Sequence, residues 1–183
     1  LMTVPHDGFF QANQYLIEEM VDRVVAAAGL AGGEIVIDGF CGSGLFSLFL
    51  APLAGTLHGI EGNGRAIRAA GENLERHGCR NVSLFQGDVG EVLEKIFSGI
   101  PNTVDVLVID PPRTGCGEKL LEQIIRLQPR RIVYVSCNPA TQARDIRLLC
   151  DGGFRLESLQ PLDMFPQTAH IEVIALLFSQ TSP

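Results

Sequence analysis

The sequence predicts an α/β fold: a mostly parallel sheet of seven strands, helices on both faces, and one antiparallel pair at the sheet edge. Three observations carry this expectation. Apolar runs of strand length alternate with helical patterns, and each handover between them carries Gly, Pro, Asp or Asn. The first buried run ends in a glycine-rich turn that leads into a helix, Ile35-Val-Ile-Asp-Gly-Phe-Cys-Gly-Ser-Gly44. Between the sixth and seventh runs there is no room for a crossover helix, so those two strands must pair antiparallel.

In chain order, the first element is a helix over Asn13 to Ala28, whose apolar residues Leu16, Ile17, Met20, Val21, Val24 and Val25 form one stripe, with Gly29 placed to stop it. It precedes the first strand as an extra helix. The strands follow at Glu34 to Asp38, Thr56 to Glu61, Val82 to Gln86, Val104 to Ile109, Arg131 to Ser136, Arg155 to Leu162 and Glu172 to Ser179. Helices fill most of the gaps. With 183 residues, 46% of them hydrophobic, and no compositional break, the chain suits one domain. Residues 1–30 form its leading segment and extra helix, and 31–183 its Rossmann-like core.

Charge and cysteines narrow the setting. Fourteen basic against 21 acidic residues give −7, which repels a polyanion unless the basic groups share one face. The run Pro129-Arg130-Arg131 is short and reads as a solvated helix-to-strand corner. The five cysteines, Cys41, Cys79, Cys116, Cys137 and Cys150, are odd in number, scattered, and form no Cys-x-x-Cys pair. Neither a disulfide framework nor a metal site is expected, and a reducing cytoplasm fits best. No apolar run is long enough to span a bilayer, and no protein partner is implied.

The glycine-rich turn lets backbone approach a ligand, and Glu61, closing the second strand, can accept both hydroxyls of a ribose. A dinucleotide site uses the same logic. However, G-x-G-x-x-G would require glycine where Ser47 stands, and Asp38, just before the turn, suits an ammonium group rather than a pyrophosphate. S-adenosylmethionine is the expected ligand, bound by Asp38, Gly42, Gly44 and Glu61. Asp88, after the third strand, is placed for the adenine end, against a plain role as N-cap of the next helix.

Two further motifs lie at the carboxyl ends of strands. Asp110-Pro-Pro-Arg113 is a stiff turn whose acid faces the pocket. Such a turn is common in methyltransferases acting on planar nitrogen, which generally favour an aromatic residue where Arg113 stands. Ser136-Cys-Asn-Pro139 sets a thiol just before a helix start, with Asn138 as cap and Pro139 in the first turn. The positive end of that helix is expected to lower the Cys137 pKa and make it a nucleophile.

With these pieces in order, the chain resembles the catalytic domain of the RNA uracil-C5 methyltransferases, the family that makes 5-methyluridine in transfer and ribosomal RNA. The matching segments are Phe10-Gln-Ala-Asn13, Asp38 to Gly44, Glu61, Asp110 to Arg113, Ser136 to Pro139 and Asp163-Met-Phe-Pro-Gln-Thr-Ala-His-Ile-Glu172. The resemblance implies a class I S-adenosylmethionine-dependent methyltransferase fold, donor contacts from Gln11, Phe40, Glu61 and Asp110, Cys137 as nucleophile and Glu172 as base. Leu45 departs from the family, which often has asparagine at that donor-contacting place. Asp110 and Arg113 are expected to meet the substrate base, Arg113 at an enolate oxygen or a phosphate, against a salt bridge with Asp110 or another carboxylate. The target uridine must leave any stack to reach such a site.

The chemistry agrees with the residue types. Carbon 5 of uracil is a poor nucleophile until a thiolate adds at carbon 6, and a base must then remove the carbon 5 proton. If the seventh strand lies antiparallel beside the fifth, Glu172 becomes a neighbour of Cys137. Family members usually carry an RNA-binding β-barrel and a central domain upstream. An opening at Leu1, a few residues from the first motif, is therefore expected of an excised or truncated catalytic domain whose RNA is recruited mainly by those missing parts. Two alternatives stay open: an amino-group methyltransferase using Asp110 to Arg113, and a donor-binding module without turnover.

Overall fold

The computed structural model describes residues 2–5, 16–97, 104–164, 167–168 and 171–180. Its elements run α1 (Ile17–Ala28), β1 (Ile35–Gly39), α2 (Leu45–Leu50) with a 3-10 turn (Ala51–Leu53), β2 (Thr56–Glu61), α3 (Gly64–Arg76), β3 (Val82–Gln86) and α4 (Val89–Phe97). They continue with β4 (Val106–Ile109), α5 (Glu118–Leu127), β5 (Arg131–Ser136), α6 (Pro139–Asp151), β6 (Phe154–Leu162) and β7 (Glu172–Ser179). The described strands form one seven-stranded sheet in the order β3-β2-β1-β4-β5-β7-β6. Neighbours are parallel except β7, which runs antiparallel to both β5 and β6. This is the expected class I methyltransferase arrangement, with the short connection between β6 and β7 making the antiparallel pair.

Why the central strands read as unbroken apolar runs is plain from their two faces. In β4, Leu107 and Ile109 join Ile37, Ile60, Ile132 and Tyr134 beneath α4, α5 and α6. Val106 and Val108 instead join Val36, Leu57, Val133 and Val135 beneath α1 and α2. A parallel strand covered on both sides needs apolar residues at every position. Edge strand β6, by contrast, alternates between covered and exposed residues.

Strand boundaries match the expectation within two residues; helix α1 begins at Ile17, and the expected start at Asn13 lies outside the described residues. β4 opens at Val106 rather than Val104 because Asp105 uses its side chain: the Ile35 N–H donates to its Oδ2 at 2.9 Å, and Arg130 pairs with its Oδ1 at 3.2 Å. Helix α1 buries Met20, Val21, Val24, Ala27 and Ala28 and ends at Gly29 in a left-handed cap. Arg131 closes that end. Its guanidinium donates to the carbonyls of Ala27 and Ala28, where the helix dipole is negative, and lies 4.9 Å from the Phe178 ring. The Arg130-Arg131 pair is thus occupied structurally, as expected of a corner.

Candidate active site

Parallel strands place their carboxyl ends at one sheet edge, and an antiparallel neighbour adds its amino end there. Asp38 in β1, Glu61 at the end of β2, Asp110 after β4, Cys137 after β5 and Glu172 at the start of β7 therefore share one edge. Register makes this exact at the chemical centre: Ser136 pairs with Val173, so the next residue outward on each strand is Cys137 on one and Glu172 on the other.

The glycine-rich turn is held from below. Asp38, 1% exposed, accepts from the Ser47 hydroxyl through Oδ2 at 2.6 Å, while its Oδ1 is buried with no hydrogen-bond partner among the described residues. Burial pushes its pKa up to about 7, opposed by the Ser47 bonds, with the charge of Glu61 adding to the rise. Ser47, which stands where a dinucleotide motif would have glycine, thus orients the acid. Phe40 takes a left-handed backbone (φ 64°) and packs, partly buried, against the α4–α6 core. Gly44 (φ 85°) lies so near α3 that an added Cβ would meet Ala70 Cβ at 3.2 Å. Gly42 also has positive φ and gives its N–H to Glu61 Oε2 at 3.0 Å, and Asn63 N–H meets Glu61 Oε1 at 2.7 Å. Each carboxylate oxygen keeps further lone-pair capacity for a ligand.

Asp88 is exposed and caps α4, its Oδ1 accepting from Glu91 N–H at 3.1 Å. The capping alternative is therefore realised. Gln11, and with it the Phe10 to Asn13 motif, lies outside the described residues, as do Pro166 and His170. Asp110 is pushed up to about 8 by burial, then by the charges of Glu172 and Asp38. Glu172 is 2% exposed, its Oε2 buried without a hydrogen-bond partner among the described residues. Burial raises its pKa and Arg113 opposes the rise.

One expectation is corrected. Asn138 does cap α6, accepting from Ala140 N–H at 3.2 Å, and Pro139 does open it. The Cys137 thiol is nevertheless raised above its ordinary value rather than lowered. Burial acts first and the Glu172 charge second. Arg113 pulls the other way, through a hydrogen bond and its charge, and Asp110 adds to the rise. Two carboxylates and a half-buried site outweigh the helix start.

Three buried side chains escaped the sequence reading. Gln142, 2% exposed, donates through Nε2 to the Tyr134 carbonyl at 2.9 Å and the Val173 carbonyl at 3.0 Å, tying the strands that carry Cys137 and Glu172. Asp145, fully buried, accepts from Tyr134 Oη at 2.8 Å and from Cys116 N–H at 2.8 Å. Asn73 joins the Thr3 backbone to the turn, donating to Thr3 and Ser43 carbonyls at 2.8 and 3.0 Å. A signal existed for two of these: Gln142 and Asp145 sit on the same helical stripe as Ile146 and Leu149, where apolar residues are expected. Among the described residues, no group of three or more His, Cys, Asp or Glu could hold a metal ion, and no helix is long and apolar enough to cross a membrane.

Comparison with known proteins gives a consistent picture. The family model described as tRNA (Uracil-5-)-methyltransferase matches residues 2–180. An "uncharacterized RNA methyltransferase" of Halalkalibacterium halodurans is 45% identical over 171 residues, covering 93% of this chain and 37% of that protein. One from Listeria monocytogenes matches with the same identity and coverage. The chain thus spans about 37% of the length of these curated relatives. The solved structure of Pyrococcus abyssi tRNA (uracil-54, C5)-methyltransferase in complex with S-adenosyl-L-homocysteine aligns with a TM-score of 0.79 at 32% identity, over 93% of this chain and 40% of that one. A precorrin-6y C5,15-methyltransferase from Geobacter metallireducens, 17% identical with a TM-score of 0.74 over 97% of this chain and 93% of that one, shares the fold.

Proposed function

Because the chain belongs to the tRNA (uracil-5-)-methyltransferase family, we propose that it is the catalytic part of an S-adenosylmethionine-dependent enzyme that methylates carbon 5 of a uridine in transfer or ribosomal RNA. The observation that carries this reading is the Ser136–Val173 pairing, which sets a cysteine and a buried glutamate side by side at the ligand edge of the sheet. An amino-group methyltransferase has no use for that pair.

The residues fit the methyl donor. Asp38 Oδ1 is a buried acceptor suited to an ammonium group, and Glu61 keeps lone pairs for ribose hydroxyls. Phe40, Gly42, Gly44 and Asp110 complete the donor side, with Gln11 and Asp88 assigned there on the sequence. When bound, the donor supplies an electrophilic methyl group on a positively charged sulfur.

Cys137 adds as thiolate to carbon 6 of the uracil, which gives carbon 5 enolate character. Arg113, already in contact with the thiol, favours its ionised form and offsets negative charge accumulating on the base. Once carbon 5 carries the methyl group, Glu172 accepts the carbon 5 proton, and the C–H electron pair re-forms the ring double bond and expels the thiolate. A raised pKa makes Glu172 a stronger base than an exposed glutamate. In this reading Asp110 holds the edge of the base. The same reading makes the chain a single catalytic domain of a cytoplasmic protein, and the net charge of −7 accords with RNA recruitment residing in other domains.

An RNA carrying 5-fluorouridine tests this, since fluorine at carbon 5 cannot leave as a proton. Incubated with the protein and S-adenosylmethionine, it is expected to give a protein–RNA adduct by intact mass that maps to Cys137 and disappears in Cys137→Ala. An adduct that survives Cys137→Ala, or product nucleosides methylated on nitrogen, would overturn the reading.

A further inference from the structure

The loop after β4 and the start of α6 are joined along one helix face. Asn138 Nδ2 and Thr141 Oγ1 both donate to the Arg113 carbonyl, each at 3.1 Å. Arg144 Nη2 donates to the Thr114 carbonyl at 3.0 Å, and Asp145 Oδ2 accepts from Cys116 N–H at 2.8 Å. Residues 138, 141 and 145 are three and four apart, so they line one side of the first two turns of α6. Gly115 completes the fit. It has φ 83°, and any Cβ there would collide with the Asp145 carboxylate, so the loop backbone lies directly on the helix. Asp145 is itself braced from β5 by the Tyr134 hydroxyl at 2.8 Å, and Arg144 pairs with its Oδ1 at 2.7 Å.

Cys137 stands one residue before the face, and Arg113 is the residue whose backbone the face grips. From this we infer that the Asn138–Thr141–Asp145 face of α6 is a positioning device that reads the backbone of the 113–116 loop and fixes the Arg113 guanidinium against the Cys137 thiol. Arg113 needs the help because its side chain lies on an exposed loop, and a long, rotamer-rich side chain holds an ion-stabilising geometry only if its backbone is anchored. Charged groups facing the thiol are Glu172 from β7, Asp110 and Arg113 from the loop after β4. Of these only Arg113 favours the thiolate, so its placement decides the balance. Thr141, Arg144 and Asp145 are positioning residues, acting through Arg113.

This inference rests on the proposed role of Cys137 for its significance, but its test does not require RNA or methyl transfer. The rate at which iodoacetamide alkylates Cys137 is followed against pH by peptide mass spectrometry, with circular dichroism melting as the control for folding. Below the pKa of the thiol, Arg113→Ala is expected to slow alkylation about tenfold, the low end of what loss of an adjacent opposite charge gives. Thr141→Val, which keeps shape and removes one bond to the Arg113 carbonyl, is expected to slow it about threefold in the same direction. Thr141→Ser restores the wild-type profile, and Thr141→Val adds nothing in an Arg113→Ala background. Arg144→Gln, at an exposed position, provides a second variant expected to act as Thr141→Val does. The inference is overturned if Thr141→Val and Arg144→Gln leave the profile unmoved, if either acts equally with and without Arg113, or if Arg113→Ala itself has no effect. Loss of RNA methylation with an intact alkylation pattern would instead count against the proposed function.

Discussion

Asp38 offers the sharpest test of how the site is poised, through Asp38→Asn. Burial lifts this carboxyl from 3.8 to about 7. The sign follows from linkage: a carboxyl that is harder to ionise in the folded state favours unfolding wherever the unfolded chain has already ionised. The cost begins near the unfolded value, grows by about 1.4 kcal/mol per pH unit up to about pH 7, and is level above. At full extent it is about 4 kcal/mol, from a shift of roughly three units at 1.36 kcal/mol each. Between pH 5 and pH 8 the disadvantage of Asp38 therefore increases by about 2.5 kcal/mol. Asparagine cannot ionise and keeps an oxygen for the Ser47 hydroxyl. The variant should gain stability relative to wild type by about that amount over the same interval, while its affinity for S-adenosylmethionine falls at least tenfold as the acceptor for the ammonium group loses its charge. Urea denaturation of both proteins at the two pH values, with titration calorimetry of the donor, measures both effects. A stability difference that stays constant between pH 5 and pH 8, or shrinks, would refute the reasoning that Asp38 is held in a desolvated, unpaired state for a cationic ligand.

Two other substitutions probe the remaining parts. Glu172→Gln removes the like charge that raises the Cys137 thiol, so alkylation of Cys137 at pH 8 should accelerate severalfold. With an ordinary uridine substrate it should also trap a methylated protein–RNA adduct visible by intact mass, because elimination is slowed by roughly 10²-fold or more without the base; unchanged alkylation and no adduct would remove Glu172 from both roles. Gly115→Ala places a Cβ against Asp145 at a left-handed backbone position, and should destabilise the protein by about 1–3 kcal/mol in urea denaturation. A neutral outcome would mean that the loop does not lie on α6 as described.

How much of this was written in the sequence differs by element, for physical reasons. The seven strands were legible within two residues because β1, β4 and β5 are buried on both faces and the turns between elements are marked by Gly, Pro, Asp and Asn. Asp38, Glu61, Asp110 and Cys137 were legible as positions because a parallel sheet sends every strand's carboxyl end to the same edge. Glu172 needed one further step, insertion of β7 antiparallel beside β5; the missing crossover helix gave only the β6–β7 pair, and the resemblance to a methyltransferase sheet supplied the rest. Polar residues inside α6 were not legible as functional. Gln142 and Asp145 occupy an apolar stripe, and what they hold, the Val173 carbonyl and the Cys116 N–H, is contributed by segments about 30 residues away.

The protonation of Cys137 shows where local reading fails in principle. From its own segment the thiol has a cap, a proline and a helix start, all of which favour thiolate. The groups that decide the matter come from elsewhere: Glu172 from β7, Asp110 and Arg113 from the loop after β4. Their effect depends on burial, which no window of sequence contains. The result is a thiol whose ionisation is disfavoured in the free protein, with Arg113 opposing burial and two carboxylates among the described residues. Such an arrangement limits unwanted alkylation and oxidation of an accessible cysteine, since both follow thiolate character. Among the described groups facing the thiol, Arg113 is the cation that favours thiolate, so the anchoring of its backbone on α6 matters more than its exposure suggests.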